Sequence, residues 1–232
     1  MKTLTFFSLA ICVSVQFISC SKESVITSPQ ARLSVSSDTL SYDTVFTSVG
    51  SVTQAFKIFN DNSQKLFLSK VKLAGGSTSF FKLNVDGISA NEVEGIEINA
   101  NDSIYIFVQV KIDPTNATLP FVIRDSILIS YNGNEKFVQL QAYGQNAIFL
   151  KSVKLTGQAA WSNILPYVIL GGILIDSNAV LSITEGTKIF MHADAPFLVD
   201  GTLKVSGTKD QKVIFAGDRL DPGYKDFPAG WP

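Results

Sequence analysis

Between Arg32 and Gly144 apolar side chains recur at every second position. Ile104, Ile106, Val108 and Val110 alternate with Tyr105, Phe107, Gln109 and Lys111, which marks a strand with one face in a core. Similar short runs lie at 32–36, 52–59, 66–73, 81–85, 125–131 and 135–142. Turn chemistry separates them. Asn60-Asp61-Asn62-Ser63 closes one run, Gly75-Gly76-Ser77 opens a loop, and Asn132-Gly133 accepts the two positive φ angles of a type I′ hairpin. No helical stretch intervenes, so the spacing predicts an antiparallel β-sandwich over residues 32–146.

After Gly144 the pattern changes to short apolar segments that repeat. Ile173-Leu174-Ile175-Asp176 returns as Phe197-Leu198-Val199-Asp200, Leu181-Ser182-Ile183 as Leu203-Lys204-Val205, and Lys188-Ile189-Phe190 as Val213-Ile214-Phe215. Three-residue strands at a period of about 23, with Gly-Thr at the corners (Gly186-Thr187, Gly207-Thr208), predict stacked coils of a parallel β-helix over 166–232. Residues 147–165 read as a connector. Only two to two and a half coils fit before Pro232, fewer than the roughly three a solenoid needs, so the sequence is expected to be part of a longer chain.

The N-terminus follows neither pattern. Met1-Lys2 precedes an apolar run that ends at Ile18-Ser19-Cys20, the layout of a secretory leader and too short for the roughly 20 apolar residues of a membrane span. With polar Ser21-Lys22-Glu23-Ser24 behind it, this stretch resembles the lipobox of bacterial lipoproteins. The resemblance implies cleavage after residue 19 and diacylglycerol on the Cys20 thiol. Phe17 stands where that family has Leu, Val or Ile, and an ordinary signal peptide or a buried N-terminal helix are the other readings. Lys22-Glu23 looks like a partial version of the charged signal that sends some Gram-negative lipoproteins to the cell surface. The expected location is therefore the outer membrane, on the surface or the periplasmic face. Residues 20–31 read as a flexible tether.

Composition narrows the chemistry. Loss of Lys2 with the leader takes the net charge from −1 to −2, and no basic cluster favours nucleic acid. Of the two cysteines, Cys12 departs with the leader and Cys20 carries lipid, so the mature body has neither a disulfide nor a thiolate metal site. Its stability must come from burial, for which the Phe residues outside the leader, all but Phe6, Phe7 and Phe17 of the 17 in the sequence, supply area. No triad, P-loop, H-E-x-x-H or G-x-S-x-G pattern occurs, the one histidine, His192, reads as structural, and no catalytic residue, metal or cofactor is assigned. The acidic residues Asp194, Asp200, Asp210, Asp218, Asp221 and Asp226, with Arg219 and Lys225, are the one cluster that suits a Ca²⁺ or lyase site, but Asp is common at loop corners in any case.

Three further resemblances follow from particular residues. Gly50, Gln54, Asn60, Leu66, Leu68, Phe80-Phe81, Ala100-Asn101-Asp102-Ser103, Asp113-Pro114, Leu140 and Gly144 resemble the hydin-type and major-sperm-protein-like immunoglobulin domains, which imply a spacer or protein-binding role. Leu198-Val199-Asp200-Gly201-Thr202-Leu203, Val213-Ile214-Phe215 and Gly230-Trp231 look like the opening coils of the right-handed parallel β-helix proteins. That group holds lyases, hydrolases, adhesins and stalks, so it implies fold rather than activity. Finally, Asp-Ser/Thr-aliphatic triplets resemble an O-glycosylation sequon of exported Gram-negative proteins, implying glycan at Thr39, Thr44, Ser103 or Ser126. Turn capping by Asp accounts for the same triplets. The expectation is an all-β envelope lipoprotein held in the membrane by its acyl chains, with a glycan or protein ligand. The rival is a carbohydrate-active enzyme whose catalytic coils lie beyond residue 232.

Overall fold

The computed structural model describes residues 24–47, 51, 53–113 and 121–220, and Cys20 lies outside them. The first eleven strands are β1 (Val25–Ile26), β2 (Leu33–Val35), β3 (Thr39–Phe46), β4 (Gln54–Asn60), β5 (Lys65–Leu73), β6 (Phe81–Val85), β7 (Ile88–Ser89), β8 (Glu92–Ile98), β9 (Ser103–Val110), β10 (Phe121–Tyr131) and β11 (Asn134–Gln145). They build an Ig-like sandwich. One sheet runs β5-β10-β11-β3 with β8 on the outer side of β5, and the other runs β2-β4-β9-β6-β7. Leu66, Leu68, Val71, Ile127 and Ile129 of the first sheet share a core with Phe56, Ile58, Phe81, Ile106 and Val108 of the second, all essentially solvent-free. Each such side chain contributes about 1.5–3 kcal/mol by leaving water. The sandwich is not antiparallel throughout: β1 pairs in parallel with β5, and β11 with β3.

Two of these strands are faint in the sequence. The outward positions of β8 carry Glu92, Glu94 and Glu97, and only Val93 and Ile98 are buried. In β3 a register shift between Ala142 and Tyr143 of its partner interrupts the alternation, so Leu40 and Tyr42 are buried first, then Val45 and Phe46. The Asn132-Gly133 turn is as expected, with φ of 45° and 78°.

That hairpin also clasps the N-terminal segment. Asn132 Nδ2 donates to the carbonyls of Ile26 and Ser28 at 3.0 Å each, and Asn134 Nδ2 donates to that of Pro29 at 2.8 Å. The Lys65 amide donates to the Ser24 carbonyl at 3.1 Å. Residues 24–31, read as part of the tether, are therefore docked on the sandwich. They dock at the end where β10 turns into β11, whereas the chain leaves β11 at the opposite end. The 11 paired residues of these strands set the two points about 35 Å apart.

The remaining strands are β12 (Ile148–Leu155), β13 (Gln158–Trp161), β14 (Tyr167–Ile175), β15 (Val180–Ile183), β16 (Lys188–Met191), β17 (Phe197–Val199), β18 (Thr202–Val205) and β19 (Ile214–Gly217). Every pairing among them is parallel. The ladders β12-β14-β16-β19 and β13-β15-β18 make a β-solenoid of about three turns. Its first coil lies in 147–165, the segment read as a connector. Ser152, at φ 49°, and the interspersed Lys151 and Lys154 hide the strand there. Two of the sequence repeats match the register, Ile173 with Phe197 and Leu181 with Leu203. The third is one residue off, because Ile189 pairs with Phe215 rather than Ile214. A one-residue slip exchanges core and solvent faces, and the observed register sets Phe215 against Phe197 at 5.6 Å. Of the corner glycines, Gly186 takes the left-handed bend at φ 73° and Gly207 does not.

Sandwich and solenoid share a small apolar junction. Phe46, Val168 and Phe190 are buried together, flanked by Ala147, Phe149, Leu170, Ala216 and Leu220. The Phe46 and Phe190 rings lie 5.0 Å apart.

Candidate functional site

Strict alternation in β9 turns Ile104, Ile106, Val108 and Val110 inward and leaves Tyr105, Phe107 and Gln109 on the outer face. Tyr105 and Phe107 are 47% and 40% exposed, large values for aromatic side chains in the middle of a sheet. Their rings stack at 5.7 Å and 17°, and Lys57 Nζ, on the neighbouring β4, lies 4.5 Å from the Tyr105 centroid.

Beside this pair is an open cleft of about 590 Å³, with Phe107 as its aromatic wall and Thr53, Lys82, Asn84, Asn91 and Gln109 as its polar lining. The volume falls in the range of small-ligand sites, about 300–1,000 Å³. One rim is the β6–β7 hairpin, whose Asp86-Gly87 turn has φ of 48° and 92°, the geometry that Asp-Gly favours. Asn84 braces this turn: its Oδ1 accepts from the Gly87 amide at 2.9 Å and its Nδ2 donates to Ser89 Oγ at 2.9 Å. Gln109 Nε2 donates to Thr53 Oγ1 at 2.6 Å, and Asn91 Nδ2 to the Gly76 carbonyl at 3.2 Å. Each of these three side chains commits one N–H of its primary amide, leaving the second N–H and, for Gln109 and Asn91, the carbonyl oxygen for a ligand. An electron-rich ring face beside fixed amides can take a flat apolar C–H surface on one side and hydroxyls on the other.

Charge distinguishes the two outer faces of the sandwich. On the β5 face, Lys65 meets Glu97 at 3.0 Å, and Lys70 meets Glu92 at 2.9 Å and Glu94 at 3.3 Å. Hydrogen bonds donated to Glu92 and then Glu94 hold the Lys70 amine above the usual lysine range, and the bond accepted from Lys70 holds the Glu92 carboxyl below its own. The five strands of the cleft-bearing sheet contain no Asp or Glu. Among the described residues, neither Lys57 nor Lys82 has an ion-pair partner.

The residues singled out in the sequence are scattered. His192 Nδ1 lies 2.6 Å from Asp218 Oδ2, a contact between successive coils that follows from the Met191–Gly217 register. No group of three or more His, Cys, Asp or Glu residues able to hold a metal occurs among the described residues. Asp221, Lys225 and Asp226 lie outside them. Of the four hydroxyls in Asp-Ser/Thr triplets only Thr39 is exposed. In the other three triplets the Asp Oδ1 accepts from the following amide at 2.7 Å, to Thr44, Ser103 and Ser126. Asp125 also accepts from the Gly75 amide at 3.0 Å. The cleft itself was not anticipated, although its signal is in the sequence: two aromatics at the outward positions of the strand with the clearest alternation.

No family model matches the chain, and no curated protein matches it. Among solved structures, the chain is similar to a family 123 glycoside hydrolase from Clostridium perfringens, described for glycolipid glycan hydrolysis, at 12% identity and TM-score 0.36 over 57% of this chain and 30% of that one. It is also similar to a PapD-like domain of human CEP192, at 8% identity and TM-score 0.33 over 61% of this chain and 97% of that one. A third similarity is to an MSP family member of C. elegans, at 12% identity and TM-score 0.31 over 49% and 98%. The chain thus spans less than a third of the length of the glycoside hydrolase structure.

Proposed function

We propose that the protein is a non-enzymatic envelope lipoprotein, anchored through acyl chains on Cys20, in which the sandwich carries the solenoid away from the membrane and binds glycan in the Phe107 cleft. The observation that carries this reading is the placement of the N-terminal segment and the solenoid at opposite ends of the sandwich. Ser24 lies four residue steps beyond Cys20, a reach of at most about 14 Å, and β1 is pinned at that same end. A membrane-bound Cys20 therefore seats the β10–β11 hairpin near the headgroups and lifts the solenoid by the length of the sandwich. The Phe46–Phe190 junction fixes the angle between them. Acyl chains, at about 0.8 kcal/mol per buried CH₂, hold such an anchor durably when more than one is attached.

Labelled palmitate tests the anchor. The wild-type protein incorporates label and sediments with membranes, and Cys20→Ala loses both. A membrane-bound native protein whose first residue is not a modified Cys20 overturns the reading.

A further inference from the structure

The charge pattern around the cleft goes beyond binding glycan in general. We infer that the ligand is an anionic oligosaccharide, its negative group a uronic carboxylate or a sulfate ester, and that Lys82 receives that group while a sugar ring lies on Phe107. The inference rests on the glycan-binding reading and specifies its ligand class.

Three observations converge. Lys82 and Gln109 are cross-strand partners and line the same cleft as Phe107 and Asn84, so a cation, two amides and an aromatic face are gathered around one cleft. Lys82 is exposed and has no carboxylate partner among the described residues, whereas Lys65 and Lys70 of the opposite face are matched by Glu92, Glu94 and Glu97. The strands beneath the cleft carry no acidic residue that would repel an anion, and Asp86, in the hairpin turn, is not among the lining residues. Lys57 adds a second positive charge behind the stacked rings. An ammonium is a point charge without the planar fork of Arg, so it accepts carboxylate and sulfate alike. The amides and Phe107 supply the part of recognition that is independent of charge.

The test uses the mature chain and matched pairs: hexagalacturonate against its methyl ester, and a sulfated galactan hexasaccharide against its desulfated form, by calorimetry at about 0.05 M salt. The charged member of one pair is expected to bind roughly tenfold tighter, about 1.4 kcal/mol. That preference should disappear in Lys82→Gln and shrink with added salt, while the neutral member binds Lys82→Gln and wild type equally. Phe107→Ala is expected to lose roughly tenfold for both members. Thermal melting by circular dichroism confirms that both variants, altered at exposed positions, remain folded. Which pair discriminates tells carboxylate from sulfate. Equal binding of charged and neutral members, still lost in Phe107→Ala, overturns the anionic assignment and leaves glycan binding standing. Absence of binding to every member overturns both.

Discussion

At the scale of single residues, two buried polar groups hold the sandwich in register. Asn60 is solvent-free, and its Nδ2 donates toward the carbonyls of Gln64, Ile98 and Asn99 at 2.8, 3.0 and 2.8 Å. Its Oδ1 accepts from the amide and side chain of Asn62. Read from sequence as a strand-closing turn residue, it is the hub that ties three loops together. Asn60→Ala strips partners from several buried groups at about 1–3 kcal/mol each, so a loss of about 3 kcal/mol or more is expected in chemical denaturation. Tyr42 is the second case. Its hydroxyl donates to the Val108 carbonyl at 2.6 Å, and burial pushes the phenol well above the usual tyrosine range, with a smaller opposing contribution from the Gln54 backbone. The folded state therefore keeps a proton that the unfolded chain releases above about pH 10. Stability contributed by this group is complete below that pH and falls as pH rises through it. In melts between pH 8 and 11, wild type should lose stability more steeply above pH 10 than Tyr42→Phe, which starts slightly lower. Parallel slopes would contradict the assignment.

At the scale of elements, legibility tracked how cleanly one face is buried. β9 reads directly from its alternation, and the β10–β11 hairpin reads from Asn132-Gly133, because local chemistry alone decides both. β8 and β12 do not, since their outward positions are filled with Glu or Lys and few of their residues reach the core. The solenoid repeat was visible for the same reason that it is stable: each coil must place equivalent apolar residues above the last. The register of its third rung was not, because a turn of unequal length precedes β19 and sequence spacing carries no information on turn geometry. The cleft was only half legible. Tyr105 and Phe107 could be assigned to the outer face, but Lys82, Asn84 and Asn91 join them through strand order, which no local pattern encodes. One corner gives a sharp test. A Cβ on Gly201 would lie 2.2 Å from the Asp176 carbonyl oxygen and 2.4 Å from that of Ala179, both backbone atoms that cannot swing aside. Gly201→Ala should force the third coil apart and lower the melting temperature by several degrees or more, with Gly207→Ala, whose closest neighbour is at 3.0 Å, clearly milder.

At the scale of the whole molecule, two cores with separate residues meet, among the described residues, through the cluster of Phe46, Val168, Phe190 and their flanking side chains. Phe46→Ala removes a buried ring, at about 3–5 kcal/mol, from the place where the two units communicate. Calorimetry should then resolve two transitions where the wild type gives one, or widen the gap between them. The outward reach of the solenoid depends on this junction and on the docking of residues 24–31 at the far end. Because no cysteine follows Cys20 in the sequence, single cysteines can report position without background. The most direct test labels the acylated protein in liposomes at Asp61→Cys, near the docked N-terminal segment, or at Lys209→Cys, in the solenoid, and measures energy transfer to a headgroup dye. The account predicts strong transfer from position 61 and transfer from position 209 weakened by a further separation of about 35 Å. Equal transfer from both positions, or stronger transfer from the solenoid, would contradict it.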